Sequence, residues 1–262
     1  MRILFMGASE LGYDCCEAII KAGHNVVGIF TLPQNFEIKY KSEKGKTKIK
    51  NYLFKDFTRF REEHGIPVYL LEDKIINYID EVSQLSPDLI LAIGWYFMIP
   101  DQMIKIAAKG AVGIHGSLLP KYRGNAPFVW AIINGEKETG VSLFYFEKGV
   151  DEGDIIAQQK FPIEENDTIK EVLEKAKIAS VKILLDNLQP LADGTATRIV
   201  QDNSNATIFP KRTPADGLID WNWDHTRIKN FIRAQTRPYP GAFTQINNKK
   251  IIIWDADIDD LG

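Results

Sequence analysis

The 262-residue sequence contains only two cysteines, Cys15 and Cys16, and they are adjacent. Neighbouring cysteines cannot form an ordinary intradomain disulfide or the spaced pair of a metal knuckle. No segment approaches the roughly 18 uninterrupted apolar residues of a membrane helix, and no cleavage-like site follows the apolar run at Met1–Gly7. We therefore expect two small helical side chains in a protein of the reducing cytoplasm, with no membrane partner.

The sequence also has little net charge. Its 32 Lys and Arg residues against 35 Asp and Glu residues give a net charge of −3, which excludes a global electrostatic attraction to nucleic acid. One basic run departs from this balance, with six lysines between Lys39 and Lys50 offset only by Glu37 and Glu43. Its composition favours a mobile loop with a solvated charged face; attraction of a substrate diphosphate is the alternative.

The chain is long enough to bury a core, and its first half alternates short apolar runs with helical patterns. Strands are expected at Arg2–Met6, Val26–Thr31, Asp88–Ile93 and Ala111–Ile114, and helices at Glu10–Ala22, Lys74–Leu85 and Ile104–Lys109. This alternation predicts an α/β, Rossmann-like fold with a mostly parallel sheet and right-handed crossovers. Ligands of such sheets bind beyond the carboxyl ends of the strands, where Gly7, Gly94 and His115 fall.

The second half continues the pattern and ends in a smaller module. Helices are predicted at Phe128–Asn134, Thr168–Leu188 and Thr226–Ala234, strands at Val141–Phe146 and Ile155–Phe161, an extended segment at Thr195–Ile208, and a hairpin at Ala242–Trp254 that turns at Asn247-Asn248. Asp167 is the expected cap of the long helix, which should stop before Pro190. A change of character after Asp193-Gly194 predicts a domain at residues 1–192 and a small C-terminal domain at residues 193–262.

The glycines after the first strand do not predict dinucleotide binding. Gly7 and Gly12 leave one glycine too few for the G-x-G-x-x-G pattern, and Leu32-Pro33-Gln34 follows the second strand where an acidic residue would be needed. We therefore interpret this segment as an ordinary tight turn between strand and helix.

His115 and Asp151 are the candidate catalytic side chains. His115 ends a predicted strand and enters a loop shaped by Gly116, Pro120 and Gly124, while Asp151 lies in a second glycine-bearing loop. A carboxylate beside an imidazole orients the ring and supports its proton-transfer chemistry. From the residues alone, a structural histidine stays open as the alternative. No spacing of His, Cys and acidic residues predicts a metal site.

A longer motif contains both side chains. Three segments together resemble the signature of formyltransferases that use 10-formyltetrahydrofolate. They are the run His115-Gly116-Ser117-Leu118-Leu119-Pro120-Lys121-Tyr122-Arg123-Gly124-Asn125-Ala126-Pro127 and the continuations Gly135–Val141 and Asp151–Gln158. The resemblance spans roughly Met1 to Ala192 and implies the formyltransferase fold, an enzyme of one-carbon transfer, and 10-formyltetrahydrofolate as co-substrate without a metal.

The resemblance also implies roles for individual residues. His115 would act as general base and acid, with Asp151 supporting it. The pterin would lie against main chain at Phe97, Met98 and Ile99 and in the loop Glu147, Lys148, Gly149, Val150 and Asp151, with Asn125 at another cofactor-lining position. One imidazole can take a proton from the attacking amine and later deliver one to the departing folate nitrogen. Water must be excluded, because hydrolysis of the formyl donor competes.

Gly113 departs from the family pattern. The family has an asparagine two residues before the histidine, whose amide stabilises the oxyanion, and glycine has no such donor. Loss of one oxyanion donor typically costs about 2.7–4 kcal/mol of transition-state stabilisation. A water, a backbone amide or another side chain would have to replace it; otherwise the protein is weakly active or a non-catalytic binding protein. Asparagine restored at position 113 is expected to raise turnover if the missing donor matters.

Three acceptors are worth comparing. Glycinamide ribonucleotide enzymes usually stop near the end of the first domain, whereas this chain continues. Methionyl-tRNA enzymes carry a longer, basic C-terminal barrel, whereas residues 193–262 carry many aspartates. The third group of enzymes formylates nucleotide-linked amino sugars, such as the aminoarabinose enzyme of lipid A modification. The sequence most resembles this group at Lys121–Gly124 with Trp130 and in the tail segments Lys211–Gly217 and Arg237–Phe243.

The resemblance therefore implies formylation of a nucleotide-linked amino sugar for a bacterial surface polysaccharide or lipopolysaccharide. A methionyl-tRNA formyltransferase-like activity is the alternative. The expected partner is a nucleotide sugar and not a nucleic acid, and a homodimer is left open. The tail segments have two compatible interpretations: they pack against the rest of the protein, and they border the cleft that binds the nucleotide sugar.

Overall fold

The structure is a computed structural model that describes residues 1–38, 47–72 and 74–258. The chain forms two compact units that interleave along the sequence. The first unit contains Met1–Ile114, Leu143–Phe146 and Ser180–Thr197, and the second contains His115–Ser142, Glu147–Ala179 and Arg198–Gly262. The predicted boundary in sequence between residues 192 and 193 stays a prediction.

The described segments contain the following elements. The strands are β1 (Arg2–Met6), β2 (Asn25–Thr31), β3 (Asn35–Ile38), β4 (Thr47–Lys50), β5 (Val68–Leu70), β6 (Leu89–Ala92), β7 (Ala111–His115), β8 (Arg123–Gly124), β9 (Glu138–Tyr145), β10 (Ile155–Pro162), β11 (Ile208–Phe209), β12 (Ala242–Ile246) and β13 (Lys249–Ile253). The helices are α1 (Glu10–Lys21), α2 (Arg59–His64), α3 (Ile79–Leu85), α4 (Asp101–Ile104), α5 (Pro127–Ile133), α6 (Ile169–Asp193) and α7 (His225–Arg233), with 3-10 turns at Ile75–Tyr78, Asn203–Asn205 and Pro214–Gly217.

A seven-stranded sheet in the order β10-β9-β7-β6-β1-β2-β5 carries the fold. The pairs β1–β2, β1–β6, β2–β5 and β6–β7 are parallel. All four residues of β6 are buried, and so are the last four of β1, as expected for strands covered on both faces. The sheet confirms the predicted mostly parallel α/β fold.

The first unit packs around these parallel strands. Its core contains Leu4, Met6, Phe30 and Ile90, with Val82 from α3 against them. Gly12 on α1 lies close to the chain after β6, because a Cβ at this position would be 2.3 Å from the Ile93 carbonyl oxygen. The glycine at position 12 is therefore required by close packing between α1 and the chain after β6.

Cys15 and Cys16 lie on α1 and are both buried and free. Burial raises the pKa of both thiols above the ordinary range, because a thiolate would lose its hydration. They are therefore packing side chains in the thiol form.

The second unit has its own core, formed where α5, the first half of α6, α7 and the hairpin β12–β13 meet. Ile132, Val172, Phe231 and Ala242 are among its buried residues. The predicted hairpin is confirmed, with five paired positions from Ala242–Ile253 to Ile246–Lys249. Asn247 and Asn248 have φ values of +48° and +60°, which is the left-handed pair that a two-residue type I′ turn requires.

Two helix predictions were wrong at their ends. The helix expected at Ile104–Lys109 is displaced: α4 covers Asp101–Ile104 and shares only Ile104 with the prediction, with Pro100 extended at its N-terminus and Asp101 in its first turn. The helix expected to stop before Pro190 runs through it to Asp193 and ends at Gly194, whose φ is +73°. A glycine in the left-handed conformation is a stronger stop here than the proline inside the last turn.

The predicted cap of α6 was also wrong by one residue. Thr168 precedes the helix; its hydroxyl accepts from Lys170 N at 3.2 Å, and its N–H donates to the Glu171 carboxylate at 2.9 Å. This reciprocal arrangement resembles a capping box. Asp167 instead accepts from Glu164 N and from Lys175 Nζ.

Some elements were missed by the sequence analysis. The segment Thr195–Ile208, expected to be extended, holds a 3-10 turn, an isolated bridge at Ile199 and, at its end, the first residue of β11. The lysine run was expected to be a loop, but Lys48 and Lys50 lie on β4, paired with β3; Lys39, Lys41, Lys44 and Lys46 fall outside the described residues. Of the helices in the described segments, none combines the length and apolar character needed to span a bilayer.

Candidate active site

His115 is the last residue of β7, and its side chain is nearly buried, at 8% exposure. The chain then leaves the sheet in a loop that is held by its own side chains. Ser117 Oγ donates to the Lys121 carbonyl at 2.6 Å, and Leu119 N donates to Ser142 Oγ at 3.0 Å. The histidine therefore lies at the carboxyl end of a parallel strand, as predicted.

Both ring nitrogens of His115 face oxygen atoms. Nε2 is 2.7 Å from the Tyr122 carbonyl oxygen, and Nδ1 is 3.5 Å from Asp151 Oδ2. A carbonyl oxygen can only accept, so Nε2 carries a hydrogen in this arrangement. The structure thus brings together the two side chains that were singled out in the sequence.

Asp151 is held from two directions in a turn of unusual backbone geometry. Its carboxylate accepts from Gly124 N at 2.9 Å, which ties it to the loop after His115. Its φ is +55°, in the left-handed region that non-glycine residues rarely adopt. Such conformations persist where surrounding contacts determine them, often at functional sites. The Asp151 carboxylate is therefore placed by the backbone of two loops.

The turn around Asp151 is fixed by side chains that the sequence analysis did not identify. The Gln201 amide donates from Nε2 to the carbonyls of Asp151 and Gly153 at 2.8 and 2.7 Å. Its oxygen accepts from Nε and Nη2 of Arg123, at 3.0 and 2.7 Å. No sequence signal identifies this contact, because Gln201 and Arg123 are separated by 78 positions and belong to no recognisable pair.

Tyr122 contributes its main chain rather than its hydroxyl. Its φ is +58°, its N–H donates to Thr207 Oγ1 at 2.8 Å, and its ring stacks on Phe209 with centroids 4.6 Å apart. Burial, followed by the hydrogen bond to Glu136, raises the pKa of the Tyr122 phenol to about 12. The phenol therefore stays protonated at neutral pH and cannot serve as a general base.

Position 113 is filled by an aromatic ring. A Cβ built on Gly113 would lie 2.4 Å from Cε2 of Phe146 and 2.8 Å from the Ala92 carbonyl oxygen. Phe146 therefore occupies the space that an asparagine side chain would enter. This corrects the expectation that asparagine alone could be restored there, because Phe146 must first move. The sequence missed the coupling because Phe146 looks like an ordinary strand residue.

The predicted pterin-contacting residues of the first unit are partly used for packing. Ile99 is 6% exposed and belongs to the core, and Phe97 packs on Trp95 and Phe36 at centroid distances of 5.9 and 5.8 Å. Met98 is 69% exposed. A role for Phe97–Ile99 in ligand contact therefore concerns mainly their backbone and the Met98 side chain.

The predicted residues of the second unit lie on two exposed segments. Asn125 is exposed and its N–H donates to the Phe209 carbonyl at 3.3 Å. Glu147 accepts from Arg198 at 2.9 Å, while Lys148, Gly149 and Val150 are exposed. Within residues 1–38, 47–72 and 74–258, no group of three or more His, Cys, Asp or Glu side chains has metal-binding geometry.

Two family models match the chain. Residues 1–188 match the model described as formyl transferase, and residues 211–261 match the model described as formyl transferase, C-terminal domain. His115, Asp151 and their loops fall within the first match, while Gln201 falls between the two.

Individual proteins and structures are similar over nearly the whole chain. A methionyl-tRNA formyltransferase of Ruminiclostridium cellulolyticum is 35% identical over 263 residues, covering 100% of this chain and 81% of that protein. The bifunctional polymyxin resistance protein ArnA of Wigglesworthia glossinidia brevipalpis is 37% identical over 259 residues, covering 98% of this chain but only 38% of ArnA. The crystal structure of WlaRD, a sugar 3N-formyl transferase, aligns with a TM-score of 0.68 at 23% identity, covering 96% of this chain and 85% of that one; this likeness shows the fold alone.

Proposed function

This chain belongs to the formyltransferase family, and we propose that it transfers a formyl group from 10-formyltetrahydrofolate to the amine of a nucleotide-linked amino sugar. The observation that carries the chemistry is the contact between His115 Nδ1 and Asp151 Oδ2 at 3.5 Å. His115 is the catalytic acid and base, and Asp151 orients the ring and balances its charge.

The proton balance defines what His115 has to do. The acceptor amine forms a bond from nitrogen to the formyl carbon, and the bond from that carbon to the donor nitrogen breaks. One proton leaves the amine and one reaches the departing nitrogen, so a single imidazole can take the first and return it as the second. Once His115 has taken the proton of the amine, the Asp151 carboxylate beside Nδ1 balances the charge of the ring. After delivery, the neutral ring can accept the next proton from an amine.

Support for the formyl donor comes from the residues and from relatives. An acid–base histidine paired with a carboxylate fits a substrate whose leaving nitrogen needs a proton. The N-formyltransferase of Helicobacter canadensis, 23% identical with a TM-score of 0.66 and covering 95% of this chain and 86% of that one, was crystallised with folinic acid and dTDP-3-aminofucose. The donor would contact Phe97–Ile99, Asn125 and Glu147–Asp151 as the sequence resemblance predicts.

The amino-sugar acceptor is supported by the charge of the C-terminal part. Residues 193–262 contain nine Lys and Arg residues and nine Asp residues, without Glu, so their formal charge is zero. Several of the cations are used within the second unit, where Arg227 stacks on Trp223 and Arg212 on Trp130. A surface that binds tRNA phosphates requires an excess of positive charge. A surface polysaccharide or lipopolysaccharide would be the destination of the formylated sugar.

Methionyl-tRNA formylation is the second candidate, and one observation favours it. The similarity to the Ruminiclostridium enzyme spans every residue of this chain. An inactive binding protein is the third, because Gly113 has no side-chain donor.

Formyl transfer from 10-formyltetrahydrofolate to a panel of nucleotide-linked amino sugars tests the proposal directly. We expect release of tetrahydrofolate with one or more of these sugars, and a fall in kcat of about 10²–10⁴-fold in His115→Asn. His225→Asn is the matched control, because His225 is exposed at the start of α7. Transfer only to methionyl-tRNA would establish the second candidate, and binding without a single turnover would establish the third. Unchanged turnover in His115→Asn would reject the role of the histidine.

A further inference from the structure

Gln201 uses all of its side-chain amide groups to join two loops of the second unit. Its side chain is buried, at 6% exposure, and so is that of Arg123, at 3%. Its Nε2 donates two hydrogen bonds to main-chain carbonyls, and its Oε1 accepts two from the Arg123 guanidinium. Buried polar groups are costly unless they are satisfied, so this set of four bonds fixes the Gln201 amide in one orientation.

One side of this contact is the turn that carries the candidate catalytic carboxylate. The carbonyls of Asp151 and Gly153 both point at the Gln201 amino group, at 2.8 and 2.7 Å. The residue between them, Glu152, is exposed and approaches Arg123 at 3.9 Å. The left-handed φ of Asp151 costs of order 1–3 kcal/mol and needs outside contacts to hold it. Gln201 supplies two of those contacts.

The other side is the loop that follows His115. Arg123 lies on β8, directly after Tyr122, whose carbonyl meets His115 Nε2. The Arg123 guanidinium is further held by Asn203 Oδ1 at 2.8 Å. Gln201 therefore links the two loops that place an oxygen atom on each nitrogen of the imidazole.

We propose that Gln201 is a positioning residue for formyl transfer, which acts by holding the Asp151 turn in register with the loop after His115. This inference rests on the proposed function for its kinetic consequence. It concerns a residue whose four side-chain hydrogen bonds go to Arg123, Asp151 and Gly153, and that lies between the two segments matched by the family models.

Gln201→Glu tests the donor side of the contact. The substitution keeps the shape of the side chain and its acceptor for Arg123, but replaces the amino group that faces two carbonyls with a second oxygen. We expect kcat to fall about 10- to 100-fold, since displacement of a catalytic group by about 1 Å has effects of that size. KM for the amino-sugar substrate should change little.

Gln235→Glu is the matched control. Gln235 is also buried, at 7% exposure, its oxygen also accepts from an arginine, Arg212 at 2.7 Å, and its amino group donates to the Phe231 carbonyl. It does not contact the Asp151 turn. We expect a comparable loss of thermal stability in both glutamate variants, but a change in kcat only in Gln201→Glu.

A double-mutant cycle separates positioning from a general structural role. If Gln201 acts through Asp151, Gln201→Glu should lower kcat by less than about twofold in a chain that already carries Asp151→Asn. Equal effects in the two backgrounds would overturn the proposal. Gln201→Met repeats the test without a buried charge, and failure of both variants to fold would show a structural residue and overturn it as well.

A measurement without substrate distinguishes this inference from the proposed function. Nitrogen NMR of the ring of His115, assigned with His115→Asn, reports the contact with Asp151 even in a protein that transfers no formyl group. We expect Gln201→Glu to shift the His115 resonances in the same direction as Asp151→Asn, with Gln235→Glu unchanged. Wild-type resonances in Gln201→Glu would overturn the positioning role, whereas an inactive wild-type protein would overturn only the proposed function.

Discussion

The imidazole of His115 has a main-chain carbonyl on one nitrogen and a carboxylate on the other. The sequence predicted the carboxylate, because glycine-bearing turns at strand ends are places where side chains become available for chemistry. It did not predict the carbonyl, which depends on the left-handed backbone of Tyr122. It also did not predict Gln201, because hydrogen bonds between distant loops leave no local pattern in a single sequence.

The contact between position 113 and the Phe146 ring leads to a prediction about single residues. We expect Gly113→Asn alone to destabilise the protein by about 1–3 kcal/mol through overpacking against the ring. Phe146→Ala removes the clash with the ring, but the Ala92 carbonyl oxygen, 2.8 Å from the Cβ position, belongs to the main chain and must still move. The double variant should then exceed Phe146→Ala in kcat by up to about 10²–10³-fold, the typical effect of one oxyanion donor.

The control for this pair is Gly113→Asn with Phe144→Ala. Phe144 is the buried neighbour of Phe146, with ring centroids 5.2 Å apart, and its removal leaves the Phe146 ring over position 113. No gain in turnover is expected from that combination. A double variant no faster than Phe146→Ala would mean that position 113 does not supply the donor in this protein. Steady-state kinetics and urea unfolding measure both effects.

The sequence predicted the long helices and strands that have a clear periodic pattern, but it did not predict where several of the helices begin and end. The buried strands β1 and β6 and the helix α1 follow from continuous apolar runs or a 3.6-residue period. The end of α6 was missed because a proline inside a helix removes a backbone hydrogen bond and usually ends the helix, whereas α6 tolerates Pro190 and ends at Gly194. Short elements such as β3 and α2 have too few residues for a clear period.

Thr168 at the start of α6 allows a prediction at the scale of one element. The hydrogen bond from the Thr168 hydroxyl lowers the pKa of the Glu171 carboxyl. Thr168→Val should therefore destabilise the protein by about 1 kcal/mol at pH 7. A carboxyl with a lowered pKa stabilises the fold above its unfolded value and loses that contribution as the pH falls through its folded value.

The difference between wild type and Thr168→Val should accordingly shrink in acid, below about pH 4. Urea unfolding at pH 7 and pH 3 measures it. Thr226→Val, at an exposed position in the first turn of α7, is the comparison for the change in side-chain shape. A difference that is equal at both pH values would contradict the role of Glu171.

At the scale of the whole molecule, charge distinguishes the candidate acceptors. The chain has a net charge of −3, and its C-terminal 70 residues are neutral. We expect uncharged tRNA to bind weakly, with a dependence on salt concentration far shallower than that of a protein making six to ten phosphate contacts. Electrophoretic mobility shifts between 50 and 200 mM salt measure this slope. Tight binding that falls steeply over this range would favour the methionyl-tRNA candidate.

The adjacent thiols on α1 have a consequence for how opening of the molecule can be followed. Both are sealed from solvent and kept in the unreactive thiol form by burial. A disulfide reagent added to the folded protein has no other cysteine to attack. The rate at which the reagent labels these thiols therefore reports how often the packing around α1 opens to solvent. A ligand that binds the folded protein and slows this labelling can be detected without a label of its own.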